Sequence, residues 1–317
     1  MEIQNNKNII PVAIVVAGAM LSFALYYQPS GVTKATSERK ITAQTHESSS
    51  VADNEIFPKE GVILPVTWGD MGKKLAGTGT IDAPRFQKLY EDKSAYTDEY
   101  DLLLNGNTPG KLKITRENAG FLLNMFWALG LSNKNEILEK GEMADPKYGG
   151  AGRFASTGGW TMAQGDAMNH YSHHSFMTLT PEQQALVERV SRGIYRPCCG
   201  NSVHFPDCNH GMAMLGLLEL MASQGVTEKE MWDTALVVNS YWFPDTYVTL
   251  AAYMEGRGVD WKDVNPQEIL GANFSSSSGF ARIAAQVKLP SSSGGGSGCG
   301  VDAGTSAPQK QQSGCGI

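Results

Sequence analysis

Apolar residues recur along this chain at helical spacing far more often than in alternation. In TRENAGFLLNMFWALGL, Phe121, Leu122, Met125, Phe126 and Leu129 fall on one stripe of a 3.6-residue helix, which the pattern starts at Thr115 with Glu117 in the first turn. TPEQQALVERVSRGIYRP predicts a helix with Thr180 at the N-cap, Pro181 at its first position and Gln183 closing a capping box; Arg196-Pro197 ends it. TEKEMWDTALVV carries a second box, Thr227 to Glu230. Further helices are expected after Asp82 and Pro84, through Phe86 and Leu89, and from Pro244 to a stop at Gly256. Alternation is confined to GVILPV at 61–66 and KLKIT at 111–115.

One segment is apolar nearly all round. From Met212 to Ala222 the only charge is Glu219, so this helix belongs in the middle of the fold. Asp207 is its expected N-cap and Gly225 its C-cap, which places Cys208 and His210 in the first turn; Gly211 leaves room there for another group to approach closely. The fold class is therefore all-α: a single helical globular domain over 56–288, with at most a minor β-hairpin.

The two ends follow different patterns. Residues 9–27 (IIPVAIVVAGAMLSFALYY) carry no charge. As a helix they span ~28 Å, the apolar thickness of a bilayer, and predict a transmembrane anchor behind a short tail, 1–8. Lys34, Arg39 and Lys40 follow the run and only Lys7 precedes it, a weak bias toward a cytoplasmic domain. The short N-terminal tail instead matches a signal-anchor layout, and the reading places the large domain outside the cytoplasm, on a cell membrane. Residues 28–55 read as a flexible polar stalk, and 289–317 as a disordered Gly/Ser-rich tail holding Cys299 and Cys315 in near-identical SGCG contexts.

Composition excludes some functions. The chain has 317 residues, a net charge of −6 and no basic stripe, so nucleic acid is not an expected partner; the membrane is. HExxH and GxSxG signatures are absent, and the Gly-rich stretch 148–160 lacks the features of a phosphate-binding loop.

The candidate chemistry lies in RPCCGNSVHFPDCNHGM. Cys198, Cys199, His204, Cys208 and His210 fall within thirteen residues, and five of the six histidines lie between 170 and 210. Thiolate and imidazole together suit a transition metal, Zn²⁺ or copper. These five residues are the expected ligands, with His170, His174, Asp207 and Met212 as candidates for the layer around them. The spacing matches no standard zinc pattern, and C-x-x-C-H is absent. Two alternatives use the same residues. A thiol–disulfide protein would employ Cys208, activated at a helix N-terminus, with Cys198 or Cys199 as its resolving partner. A non-catalytic surface protein would use a disulfide from Cys199 or Cys198 to Cys208 to brace the loop.

Overall fold

The computed structural model describes residues 54–287. Segments 1–8 and 9–27, nearly all of the stalk and the tail with Cys299 and Cys315 lie outside them. Among the described residues no helix is long and apolar enough to cross a membrane.

The chain runs β1 (Val62–Gly69), α1 (Met71–Gly77), α2 (Ala83–Glu91), α3 (Asp98–Asn105), β2 (Thr108–Ile114), α4 (Ala119–Ser132), α5 (Glu136–Lys140), α6 (Ala155–Gly158), α7 (Pro181–Gly193), α8 (Asn209–Ser223), α9 (Glu228–Trp242), α10 (Pro244–Glu255), α11 (Pro266–Leu270), α12 (Ala272–Ser275) and α13 (Ser277–Ala284). Short 3-10 turns fill much of the stretch between α5 and α7. The region is mostly helical, as the apolar pattern implies. The alternating segments pair antiparallel as β1 and β2, with Val62 opposite Ile114 and Gly69 opposite Thr108. They do not form a hairpin, because α1, α2 and α3 intervene. The outer edge of β1 is covered by one side chain: Gln224 Nε2 donates to Thr67 O (2.7 Å), and Thr67 N donates back to Gln224 Oε1 (2.8 Å).

Both capping boxes form as the sequence implies, at Thr180/Gln183 and Thr227/Glu230. Helix α10 runs from Pro244 to Glu255, and Asp82 caps α2. Helix α4 starts four residues later than Thr115. Thr115 N donates to Asn118 Oδ1 (2.8 Å) and Asn118 N donates to Thr115 Oγ1 (3.2 Å). Those reciprocal bonds have the form of a capping box, and Ala119 N donates to Thr115 O (3.1 Å), so Thr115 caps the turn that leads into the regular helix, as its sequence implies.

Helices α4 and α8 form the centre. Every residue of α4 but Gly120 is buried, as is every residue of α8 up to Ala222. They pack along each other, with α7 against α8 and α9 against α4. The crossing depends on two glycines. A β-carbon on Gly130 would run into the Met212 carbonyl oxygen; one on Gly216 would strike Phe126 O and stand 2.6 Å from Gly130 N. With no side chain at either position, the backbones close to direct contact. Helix α8 ends as expected at Gly225 (φ +74°), where Val226 N donates to Met221 O (3.0 Å) and Gly225 N to Ala222 O (3.1 Å).

Glu219, the charge in the apolar helix, is fully buried and accepts from Asn133 Nδ2 (2.7 Å). Burial raises its carboxyl well above the usual glutamate range, against the pull of the Asn133 and Asn135 amides. Glu219 therefore keeps its proton where an unfolded chain has released it. Its contribution is complete below the ordinary value of 4.5 and is lost as pH rises toward the folded value, at about 1.4 kcal/mol per pH unit. Urea unfolding between about pH 5 and pH 8 is expected to show this decline in the wild type and a flatter profile in Glu219→Gln. Matching slopes would mean that Glu219 is ionised in the fold.

Candidate metal centre

The centre is built where α7 gives way to α8. Helix α7 stops at Gly193, and the chain then folds back on itself: Val203 N donates to Ile194 O (2.8 Å), and Tyr195 bridges to Ser202. Tyr195 N is held by Leu270 O (2.8 Å), and Cys199 O accepts from Ser277 N (2.9 Å). This returning loop brings Cys198 and Cys199 beside the first turn of α8.

The N-cap of α8 is Cys208, not Asp207. Its backbone is extended (φ −120°, ψ 166°) and its sulfur accepts from Gly211 N at 3.4 Å. Asp207 is drawn away by an ion pair: Arg196 Nη2 donates to Asp207 Oδ1 at 2.5 Å, with the guanidinium side chain 0% and the carboxylate side chain 12% exposed. Asn201 Nδ2 holds Asp207 Oδ2 (2.8 Å), and Arg196 Nη1 donates to Asn201 O (2.9 Å). The gap expected at Gly211 is filled by this arginine; a β-carbon there would lie 2.7 Å from Arg196 Cζ.

Cys198 Sγ and Cys208 Sγ are 3.4 Å apart, and Cys198, Cys199 and Cys208 are all free of disulfides. A disulfide would bring the sulfurs to about 2.05 Å. Two sulfurs sharing a tetrahedral ion at about 2.3 Å stand about 3.8 Å apart. The observed separation is nearer the second value. One ligand atom from each of Cys198, Cys208 and His210 lies within 4.8 Å of the other two. A second such group, Cys199, Asp207 and Cys208, shares the Cys208 sulfur. The His210 ring is held by Phe243 (centroids 4.3 Å apart) and Trp242 (5.9 Å), and its Nδ1 is buried without a hydrogen-bond partner. The aromatic run 241–243 thus packs the core and also orients an imidazole.

Electrostatics separates the three sulfurs. Hydrogen bonds from Cys198 and Cys199 pull the Cys208 thiol well below its ordinary value against the cost of burial, and the Arg196 charge and His210 add to that pull. Cys198 moves up, because it shares its proton with Cys199 and Cys208 and is itself buried. Cys199 rises to about 12: its hydrogen bond with Cys198 acts downward, but the one with Cys208 and burial outweigh it. Burial pushes the Asp207 carboxyl up against the attraction of Arg196. Of the three, Cys208 is the one whose surroundings favour the anionic form.

Three of the other expected residues stand elsewhere. His204 is in neither ligand group. It lines a polar cleft of about 540 Å³ with Glu139, Glu142 and Arg192, and burial and the Arg192 charge lower its pKa. His170 and His174 do meet, Nδ1 to Nε2 at 3.0 Å, but through a turn with Ser172 at φ +48° rather than along a helix. Their neighbours are Thr80 and Gln164 O, not the cysteines. Met212 is buried one turn into α8, where its N–H donates to Cys208 O (3.0 Å) and its carbonyl faces Gly130.

Sequence reasoning missed Arg196, which it read only as a helix end. The available signal was Gly211, a small residue at the turn where a large group had to fit. Comparison with family models, curated proteins and solved structures returned no match, so the geometry of the cysteine–histidine cluster alone carries the functional reading.

Proposed function

We propose that this protein binds one soft transition-metal ion, Zn²⁺ or Cu⁺, through Cys198, Cys208 and His210. The observation that carries the reading is the convergence of two sulfurs and one imidazole nitrogen within 4.8 Å of one another. Thiolate and imidazole are the ligands such ions prefer. Three protein ligands leave a position open for a small exogenous group or for handing the ion on. Binding releases the Cys198 proton, so affinity falls as pH falls.

The thiol–disulfide alternative draws support from the same 3.4 Å sulfur pair and from the position of Cys208 at a helix N-terminus. The proposed setting is a cell membrane, with the uncharged run 9–27 as anchor and the domain on the extracytoplasmic side; it rests on the sequence pattern.

Differential alkylation of the full chain, read peptide by peptide alongside elemental analysis, separates the readings. A metal centre is expected to co-purify with metal and to shield Cys198 and Cys208 from alkylation until a chelator is added. Shielding that only a reductant relieves, with no metal present, would replace it with the disulfide.

A further inference from the structure

We infer that Arg196 sets the nuclearity of this centre: its guanidinium occupies the place of a second metal ion, so the cluster holds one ion instead of two. The inference rests on the metal reading above. The two ligand groups share the Cys208 sulfur, the arrangement from which a bridging thiolate would join two ions. The second group, however, already surrounds a cation. Asp207 Oδ1 accepts from Arg196 Nη2 (2.5 Å) and from Cys199 Sγ (3.7 Å), and Oδ2 accepts from Asn201 Nδ2 (2.8 Å).

The guanidinium is permanent as well as close. It is 0% exposed, donates to Asn201 O (2.9 Å) and Phe205 O (3.4 Å), and rests against Gly211, where a β-carbon would displace it. An arginine does not lose its proton in a protein. A metal ion at Cys199 and Asp207 would therefore meet a fixed, buried positive charge at close range. Arg196 in effect withholds Cys199 and Asp207 from coordination, leaving Cys198, Cys208 and His210 to the ion. It is a specificity-determining residue, selecting a mononuclear centre from a ligand set sufficient for two ions.

The test is the number of Co²⁺ ions retained per chain by native mass spectrometry, in full chains carrying Cys299→Ser and Cys315→Ser so that tail thiols add none. The expected counts are one for this parent, one for Arg196→Lys, one for Cys199→Ser, and two for Arg196→Gln. Adding Cys199→Ser to Arg196→Gln is expected to restore one. Two ions in the parent, loss of the ion in Cys199→Ser, or one ion in a folded Arg196→Gln chain would each overturn the inference. If Arg196→Gln does not fold, the parent and Cys199→Ser counts decide it. No ion in the parent would overturn the metal reading itself, an outcome distinct from a count of two.

Discussion

Gly216→Ala is expected to lower the unfolding free energy by about 3 kcal/mol or more, enough to leave little folded protein if the domain has ordinary stability. The methyl group would enter the crossing of α4 and α8, striking Phe126 O and standing 2.9 Å from Gly130 Cα. The obstacles are backbone atoms of a helix buried on nearly every side, so no side chain can rotate away. Relief requires the helices to separate, which loosens the packing of Phe126, Leu129, Met212 and Leu215, all essentially inaccessible to solvent. Alanine's higher helix propensity returns only about 1 kcal/mol. Urea unfolding measures the difference. A loss below about 1 kcal/mol would show that the helices cross with more room than the structure gives them.

Asp207→Ala is expected to cost about 3 kcal/mol and to disorder the loop that carries Cys198 and Cys199. Arg196 would remain fully buried without its closest carboxylate. Removing one partner of a buried pair leaves the desolvation cost of the other uncompensated, which is why this exceeds the effect of an exposed pair such as Lys229–Asp233. Cys208 also faces the guanidinium and offsets part of the loss. Asp207→Asn keeps the shape and one acceptor, and about half the effect is expected from it. Chemical denaturation of both variants checks the order; equal stability of wild type and Asp207→Ala would mean that Arg196 reaches water or another anion.

Much of this architecture was legible in the amino-acid sequence because local chemistry decides it. Thr180, Gln183, Thr227 and Glu230 are capping boxes wherever they occur before an apolar stripe, and the unbroken apolar surface of α8 can only be buried. What escaped was set by contacts distant in sequence or by competing local bonds. Asp207 resembles an N-cap better than Cys208 does, yet a buried arginine eleven residues earlier claims it. Density in the sequence also does not ensure convergence in space. His204 lies between Cys199 and Cys208 in the chain, but the loop turns its ring to another cleft. His170 and His174 meet through a turn around Ser172, which their spacing alone does not specify.

The most direct test of the central claim is X-ray absorption at the zinc edge of the zinc-loaded full chain with Cys299 and Cys315 replaced by serine. Two sulfur neighbours at about 2.3 Å and one imidazole nitrogen at about 2.0 Å, with the sulfur signal lost in Cys198→Ser/Cys208→Ser, are the expected result. A shell of oxygen and nitrogen alone, or sulfur neighbours that persist in that double variant, would contradict a metal centre formed by Cys198, Cys208 and His210.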